Sequence, residues 1–163
     1  MNQALIHGQL SLSYPDDFRE MGREEMKALY QDDNPDRWGI WDQDRHIIVA
    51  VLWHDSSPVL AALAGAKDVA KTTEKRLKRG MKAHGYRFGG FFQTELCGLE
   101  AHGFRYSYQV GEVTQAAETL VLKRKNTCFT IYYYAREELD LVSRPVYEEM
   151  LRSLRLKDAG TTT

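Results

Sequence analysis

The sequence has little cysteine and no long apolar run, and both shortages narrow the class of protein. Two cysteines in 163 residues, Cys97 and Cys128, do not make a disulfide scaffold. No apolar stretch approaches the ~20 residues that a membrane-spanning helix needs. The first residues lack the basic start and long apolar segment of a secretory signal. These absences predict a soluble cytoplasmic protein whose cysteines are reduced.

Motifs of the common enzymes are also missing. The chain has no Gly-x-Ser-x-Gly, no His-Glu-x-x-His, no Gly-x-x-x-x-Gly-Lys, no Gly-x-Gly-x-x-Gly and no Cys-x-x-Cys. We therefore predict no catalytic residue, no metal and no cofactor. A site assembled from distant residues stays open as an alternative.

Charge is balanced over the whole chain but not along it. The 22 basic and 23 acidic side chains argue against a general nucleic-acid binder, which carries a strong basic excess. Residues 1–58 are mainly acidic and residues 59–125 mainly basic. Cations are concentrated between Lys67 and Lys82. This segment is either an ordinary solvated helix face or a docking face for an acidic partner or a phosphate-bearing ligand.

Hydrophobic periodicity predicts an α+β fold. The expected order is a strand, a helix, a hairpin, a short and a long helix, four strands and a last helix. The predicted ranges are 9–14, 22–30, 38–53, 58–64, 66–84, 86–97, 103–111, 116–124, 127–135 and 144–154. Within 86–97 we expect Gly89-Gly90 to form a bulge or a close packing point, and we place Phe88, Phe92 and Leu96 on one side. Ser143 is the expected cap of the last helix.

Short turns between consecutive strands predict a mostly antiparallel sheet. Segments 46–53 and 127–135 are apolar on both sides, as strands are when both faces of their sheet are covered. We therefore predict an α/β/α sandwich around a central sheet of about six to seven strands. A single domain is expected over 1–156, followed by a flexible tail over 157–163.

Polar clusters give weak site candidates. Asp32, Asp33 and Asp36 could hold calcium, but their spacing does not match the twelve-residue calcium loop, and a solvated loop is the simpler interpretation. His46 and His54 share a strand face but stand ~26 Å apart, too far to ligate one metal.

Aromatic residues give the preferred contact site. The hairpin carries Trp38 and Trp41, and tryptophan is typical of interface hot spots, although it is also a common core residue. The predicted partner-binding residues are Trp38 and Trp41, with Lys75 and Arg79 of the basic helix.

The element order resembles that of the Mog/PsbP-like superfamily. The resemblance is carried by the opening Leu-Ser-Leu-Ser-Tyr-Pro, the tryptophan-rich hairpin, the aromatic strand 129–136 and the closing helix 147–154. It implies the same sandwich, and most closely a bacterial DcrB-like cytoplasmic member. Superfamily members include a Ran-binding transport factor, extrinsic photosystem subunits and bacterial adaptors or chaperones. The resemblance therefore implies a non-catalytic role, and no functional residue is carried over from it.

Three functions follow as alternatives. The first is an adaptor or chaperone-like protein that binds a protein partner. The second is a structural subunit, such as a homodimer, joined through strand edges or between the basic helix and the acidic N-terminal third. The third is a small-ligand binder or enzyme whose pocket uses some of Arg87, His102, Arg105, Tyr106 and Tyr108. Nucleic acid is not an expected partner.

Overall fold

A computed structural model describes residues 1–157. Its helices are α1 (Arg23–Tyr30), α2 (Pro58–Leu63), α3 (Ala66–Gly80) and α4 (Asp140–Arg152). Its strands are β1 (Asn2–Ile6), β2 (Leu10–Tyr14), β3 (Arg19–Glu20), β4 (Arg37–Asp42), β5 (Ile47–Asp55), β6 (Arg87–Leu96), β7 (Leu99–Val110), β8 (Val113–Arg124), β9 (Thr127–Arg136) and β10 (Arg155–Leu156).

Seven strands form the central sheet in the order β3-β4-β5-β9-β8-β7-β6, and every neighbouring pair is antiparallel. A second sheet of three strands has the order β1-β2-β10. The α+β sandwich expected from the sequence is confirmed, with seven strands at its centre.

Both faces of the central sheet are covered, as the two doubly apolar strands predicted. On one face, residues of β2 and α4 such as Leu12, Tyr147 and Met150 pack against β5, β8 and β9 in the larger core. On the other face, α1 and α3 cover a smaller core through Met26 and Leu77. We call these the α4 face and the α3 face. Strand side chains alternate between them, because successive residues of a strand point in opposite directions.

Three short strands were not predicted. In β1, Ala4 and Ile6 are buried and their neighbours exposed, which is the pattern of an edge strand over a core. Strands β3 and β10 have two residues each, so neither has room for a periodic signal. They form because their backbones lie beside β4 and β2, a consequence of tertiary placement.

Two helix boundaries differ from the prediction. Helix α3 ends at Gly80, and a short 3-10 turn over Lys82–His84 follows, ending at Gly85 with a φ of +67°. Helix α4 begins at Asp140, so Ser143 is a buried helical residue and does not cap the helix. The range predicted for α3 included the 3-10 turn that follows it, whereas the range predicted for α4 began four residues late and ended two residues late.

The predicted bulge is present, and it corrects the prediction for the side chains around it. The β6–β7 register shifts between Phe88 and Gly90. The extra residue places Phe88 on the α3 face, where it contacts Phe91, while Phe92 packs on the α4 face. Phe88 and Phe92 are therefore on opposite sides of β6, because one inserted residue reverses the alternation.

The two cores lie on opposite faces of the same sheet. This arrangement supports the proposal that residues 1–156 form one domain. The tail predicted for 157–163 lies, beyond Lys157, outside the described residues.

Candidate functional site

Strand β6 is an open edge of the central sheet. It has ten residues, and within residues 1–157 it pairs with β7 alone. Most of its side chains are exposed. A cavity lies on each side of this strand, one on the α4 face and one on the α3 face. This edge with its two cavities is the candidate site.

The cavity on the α4 face has a volume of about 530 Å³. It lies between the sheet and α4, and its lining includes Phe92, Cys97, Arg105, Glu118, Glu148 and Arg152. Both cationic and anionic groups line it, so this cavity has no strong preference for ligand charge. Burial raises the pKa of the Cys97 thiol, which disfavours the reactive thiolate.

Its polar floor is Glu118, a carboxylate buried between two arginines. Arg105 Nε donates to Glu118 Oε1 at 3.0 Å, and Arg144 Nη1 donates to the same oxygen at 2.9 Å. Arg144 also donates to Asp140, which accepts a hydrogen bond from the Tyr133 hydroxyl at 2.8 Å. The network fixes the floor of the cavity without leaving its buried carboxylate uncompensated.

Tyrosine hydroxyls beside this network remain neutral. Burial raises the pKa of Tyr147 well above its ordinary value, and the neighbouring Glu118 charge raises it further.

Arg105 also lies over the Phe92 ring, with its guanidinium carbon 4.8 Å from the ring centroid. The guanidinium therefore connects the buried floor to the apolar wall beside β6.

The cavity on the α3 face has a volume of about 320 Å³ and a basic wall. Lys67 and Lys71 of α3 form this wall opposite Phe91 and Gln93 of β6. His102 also lines the cavity and bonds through Nε2 to the Glu100 carboxylate at 2.5 Å.

Exposed aromatic rings continue this surface along β6. The side chains of Phe88 and Phe91 are 46% and 49% exposed, and their ring centroids are 4.9 Å apart. Phe91 also meets the buried Phe104 ring edge-on at 5.9 Å. A pair of half-exposed phenylalanines at an open strand edge is apolar area available to a partner.

The predicted hairpin tryptophans do not share a surface. Trp38 lies opposite Val51 on the α4 face, where its indole nitrogen donates to Glu20 at 3.0 Å. Trp41 lies opposite Ile48 on the α3 face, beneath the Arg19 guanidinium.

Lys75 and Arg79, the other two predicted contact residues, are exposed on α3. Helix α3 covers β7 and β8, while the tryptophans are on β4. Three strand spacings, about 14 Å, separate β4 from β8. The four residues are therefore not one compact patch.

The residues predicted for a ligand pocket are also divided. Tyr106 is buried on the α3 face, and Arg105 points to the α4 face. Of that set, His102 and Arg105 line the two cavities beside β6, one each.

Two of the three aspartates of the acidic loop pair with arginines. Arg37 pairs with Asp32, and Arg23 pairs with Asp33. In residues 1–157 no group of three or more His, Cys, Asp or Glu side chains is placed to hold a metal ion.

Asp55 forms a small polar cluster with a partner that the sequence did not suggest. His7 Nε2 contacts the Asp55 carboxylate at 2.7 Å, and the Thr127 hydroxyl donates to it at 2.6 Å. The Thr127 hydroxyl lowers the pKa of Asp55, and His7 lowers it further. Because the hydroxyl bonds to the carboxylate and not to the imidazole, this is not the arrangement of a nucleophile and its base.

The open edge was missed in the sequence because strand order is not a local property. Phe91 at the edge and Phe104 in the core both lie in apolar strand segments. The usable signal was the Gly89-Gly90 pair beside three phenylalanines, since bulges are common at sheet edges.

Comparisons with known proteins show the fold. No protein-family description matches the chain, and no curated protein sequence matches it. Among solved structures, the chain is similar to cyanobacterial PsbP (CyanoP) from Synechocystis, with 12% identity, a TM-score of 0.71 and coverage of 96% of this chain and 92% of that one. The Saccharomyces cerevisiae Ran-binding protein Mog1p gives 11% identity, a TM-score of 0.59 and 97% coverage of both chains.

LpqN of Mycobacterium tuberculosis, involved in cell envelope biogenesis, gives 13% identity, a TM-score of 0.50 and coverage of 96% and 90%. The chain therefore has a Mog/PsbP-like fold, and the narrower likeness to DcrB-like proteins stays a prediction. Within residues 1–157 no helix has the length and apolar character needed to cross a bilayer.

Proposed function

We propose that this chain is a non-catalytic, cytoplasmic protein-binding module that takes an extended segment of a protein partner as an added strand on β6. The observation that supports this most is the position of β6. It is a ten-residue open edge with one cavity on each of its faces.

Strand addition uses both features of this edge. The backbone N–H and C=O groups on the open side of an edge strand can hydrogen-bond to a peptide, which supplies affinity. Side chains of the added strand alternate between the two faces. One set enters the basic cavity beside Phe91, and the other enters the cavity floored by Glu118.

Several features support protein binding over the alternatives. Mog1p, which shares the fold, is a Ran-binding protein. The half-exposed Phe88 and Phe91 provide the aromatic area typical of interface hot spots. Lys75 and Arg79 lie on α3, the helix beside this edge, so they remain proposed contacts. Trp38 and Trp41 remain a separate proposed contact on β4.

The first test is crosslinked affinity purification from the native lysate with Phe91→Asp. Phe91 lies on the open edge, so the variant is expected to lose the partners that the unmodified protein captures. Leu141→Asp is the matched control, because Leu141 is 92% exposed at the start of α4 and lines neither cavity. Thermal unfolding of both variants checks that the fold is kept.

The second test follows the β6 backbone directly. Hydrogen exchange of β6 amides is expected to slow when the captured partner is added, because strand addition protects them. If Trp41→Ala loses the partner while Phe91→Asp keeps it and β6 exchange is unchanged, the hairpin is the contact and the proposal is wrong. A captured second copy of this chain that protects β6 identifies a homodimer instead.

A further inference from the structure

We infer that the segment accepted by β6 carries acidic side chains two residues apart, facing α3. This inference rests on the proposed strand addition and adds the chemistry of the partner.

Four lysines form one flank of α3. Lys67, Lys71, Lys75 and Lys78 are exposed, and their spacing of four, four and three residues places them within an arc of about 80°. In residues 1–157 none of them forms an ion pair with a carboxylate. We call these residues the lysine flank.

Two residues of the lysine flank lie beside β6. Lys67 and Lys71 line the cavity together with Phe91 and Gln93. Glu74 lies at the border of the same flank, and its carboxylate accepts a hydrogen bond at 2.9 Å from Tyr86, the residue before β6. A strand added to β6 therefore runs beside the ammonium groups of Lys67 and Lys71.

The distance between same-face residues of an added strand matches the distance between Lys67 and Lys71 along α3. Two residues on one face of a strand are about 6.6 Å apart. Lys67 and Lys71 are one helical turn apart, about 6 Å along the axis. Carboxylates on alternate residues of an added strand, opposite Phe91 and Gln93, can each meet one ammonium group.

Two glutamates on the α3 face limit how far acidic residues can extend along the added strand. Glu95 of β6 lies opposite Glu100 of β7 in the register, and both alternate onto the α3 face. An acidic residue beside Glu95 would meet like charge. The cavity on the α4 face contains both charge signs, so selection for acidic residues occurs on the α3 face alone.

Two defined peptides test this inference. One is a blocked, fluorescent peptide of about ten residues, mainly threonine, with two glutamates two residues apart, and the other has two lysines at the same positions. Fluorescence anisotropy is expected to show binding of the glutamate peptide only. Binding is expected to weaken strongly at about 0.5 M NaCl, because salt screens exposed charges.

Charge reversal supplies the matched comparison. The double variant Lys67→Glu/Lys71→Glu is expected to weaken binding of the glutamate peptide at least about tenfold. The control, Arg23→Glu/Lys27→Glu, changes net charge equally at the same four-residue spacing on α1. A similar loss in both variants would show a general charge effect and would overturn the inference.

Hydrogen exchange separates this inference from the proposed function. If the captured partner protects β6 but the glutamate peptide does not bind, strand addition stands and the acidic specificity is wrong. If the glutamate peptide binds through Lys67 and Lys71 without protecting β6, strand addition is wrong and so is the inference. Slowed β6 exchange with the glutamate peptide, lost in Lys67→Glu/Lys71→Glu, supports both.

Discussion

Glu118 and Arg144 form an ion pair between β8 and α4, with Oε1 and Nη1 2.9 Å apart and side chains only 4% and 20% exposed. Arg105 reaches the same oxygen from the cavity, and its side chain is 55% exposed. The carboxylate therefore has one sheltered partner and one partner at the surface. Removing these two arginines should have unequal effects.

The variant Arg144→Met is expected to lower the free energy of unfolding by about 1.5–3 kcal/mol, the contribution of a hydrogen bond to a charged group, because Glu118 keeps its contact with Arg105. Arg105→Met is expected to cost less than about 1 kcal/mol, because an exposed pair contributes little. Urea unfolding of both variants measures the difference. Equal losses would show that Arg105 is as important as Arg144 to the buried carboxylate.

Gly103 permits β7 to lie close to its neighbours. A Cβ at this position would be 2.5 Å from the Thr119 carbonyl oxygen and 2.9 Å from the Phe92 ring. We expect Gly103→Ala to lower the free energy of unfolding by about 1–3 kcal/mol through overpacking. Gly80→Ala is the control, since nothing lies within 4 Å of the position that its methyl group would take, and it should be neutral or slightly stabilising. A neutral Gly103→Ala would show that β8 moves away at little cost.

The layers were predictable because their signals are local. Strand β9 is apolar on both faces, and that pattern alone requires cover on both sides of the sheet. The four-residue repeat of Val69, Thr73, Leu77 and Met81 predicts the inner side of α3. Thr73 is buried there, and Leu77 and Met81 pack on the α3 face. Val69 is only half-buried, beside the buried Ala70.

Strands β3 and β10 were not predictable, because their partners are set by tertiary contacts. Strand β1 was missed although its pairing is local, since it forms a hairpin with β2 in which Ile6 lies opposite Leu10.

The candidate site was harder to predict than the fold. The basic segment was recognised, including Lys75, but the sequence does not show that its lysines lie beside an open strand. The pairing of Glu118 with Arg144 joins residues 26 positions apart on different elements. Such relationships depend on strand order and register, which the sequence pattern constrained only in part.

Acid should weaken the fold through carboxylates held by arginines. The hydrogen bond from Arg19, with help from the Gly22 backbone, lowers the pKa of Glu25 from 4.5 to about 2. Arg37 lowers the pKa of Asp32, and Arg45 holds that of Asp42 below its ordinary value although burial opposes this. A depressed folded-state pKa gives stability that is present above the unfolded value and is lost as pH falls through the folded value.

We therefore expect the urea midpoint to fall as the pH decreases from about 4.5 to about 2, the interval set by Glu25. Glu25→Gln should be less stable than the unmodified protein at neutral pH, and the two should converge near pH 2. Parallel pH profiles for the two proteins would show that the Arg19–Glu25 pair adds no stability.

Alkali should weaken the fold through the tyrosines of the α3 face. Burial raises the pKa of Tyr108 to about 12 and raises those of Tyr106 and Tyr134 well above their ordinary value of 10.0. The hydroxyls of Tyr30 and Tyr134 lie 3.4 Å apart, so ionising one places charge beside the other. For an acid with a raised folded-state pKa, stability is complete below the unfolded value and is lost as pH rises above it.

Above pH 10, we expect near-ultraviolet absorbance to show that these tyrosines ionise, and we expect near-ultraviolet circular dichroism to be lost over the same pH range. Tyr134→Phe removes one of the ionising groups, so its stability should fall less steeply with pH, while Tyr14, at the other face, continues to titrate. Ionisation of all tyrosines near pH 10 with the circular dichroism unchanged would mean that water reaches the α3 face and that these hydroxyls are not sheltered by α1 and α3.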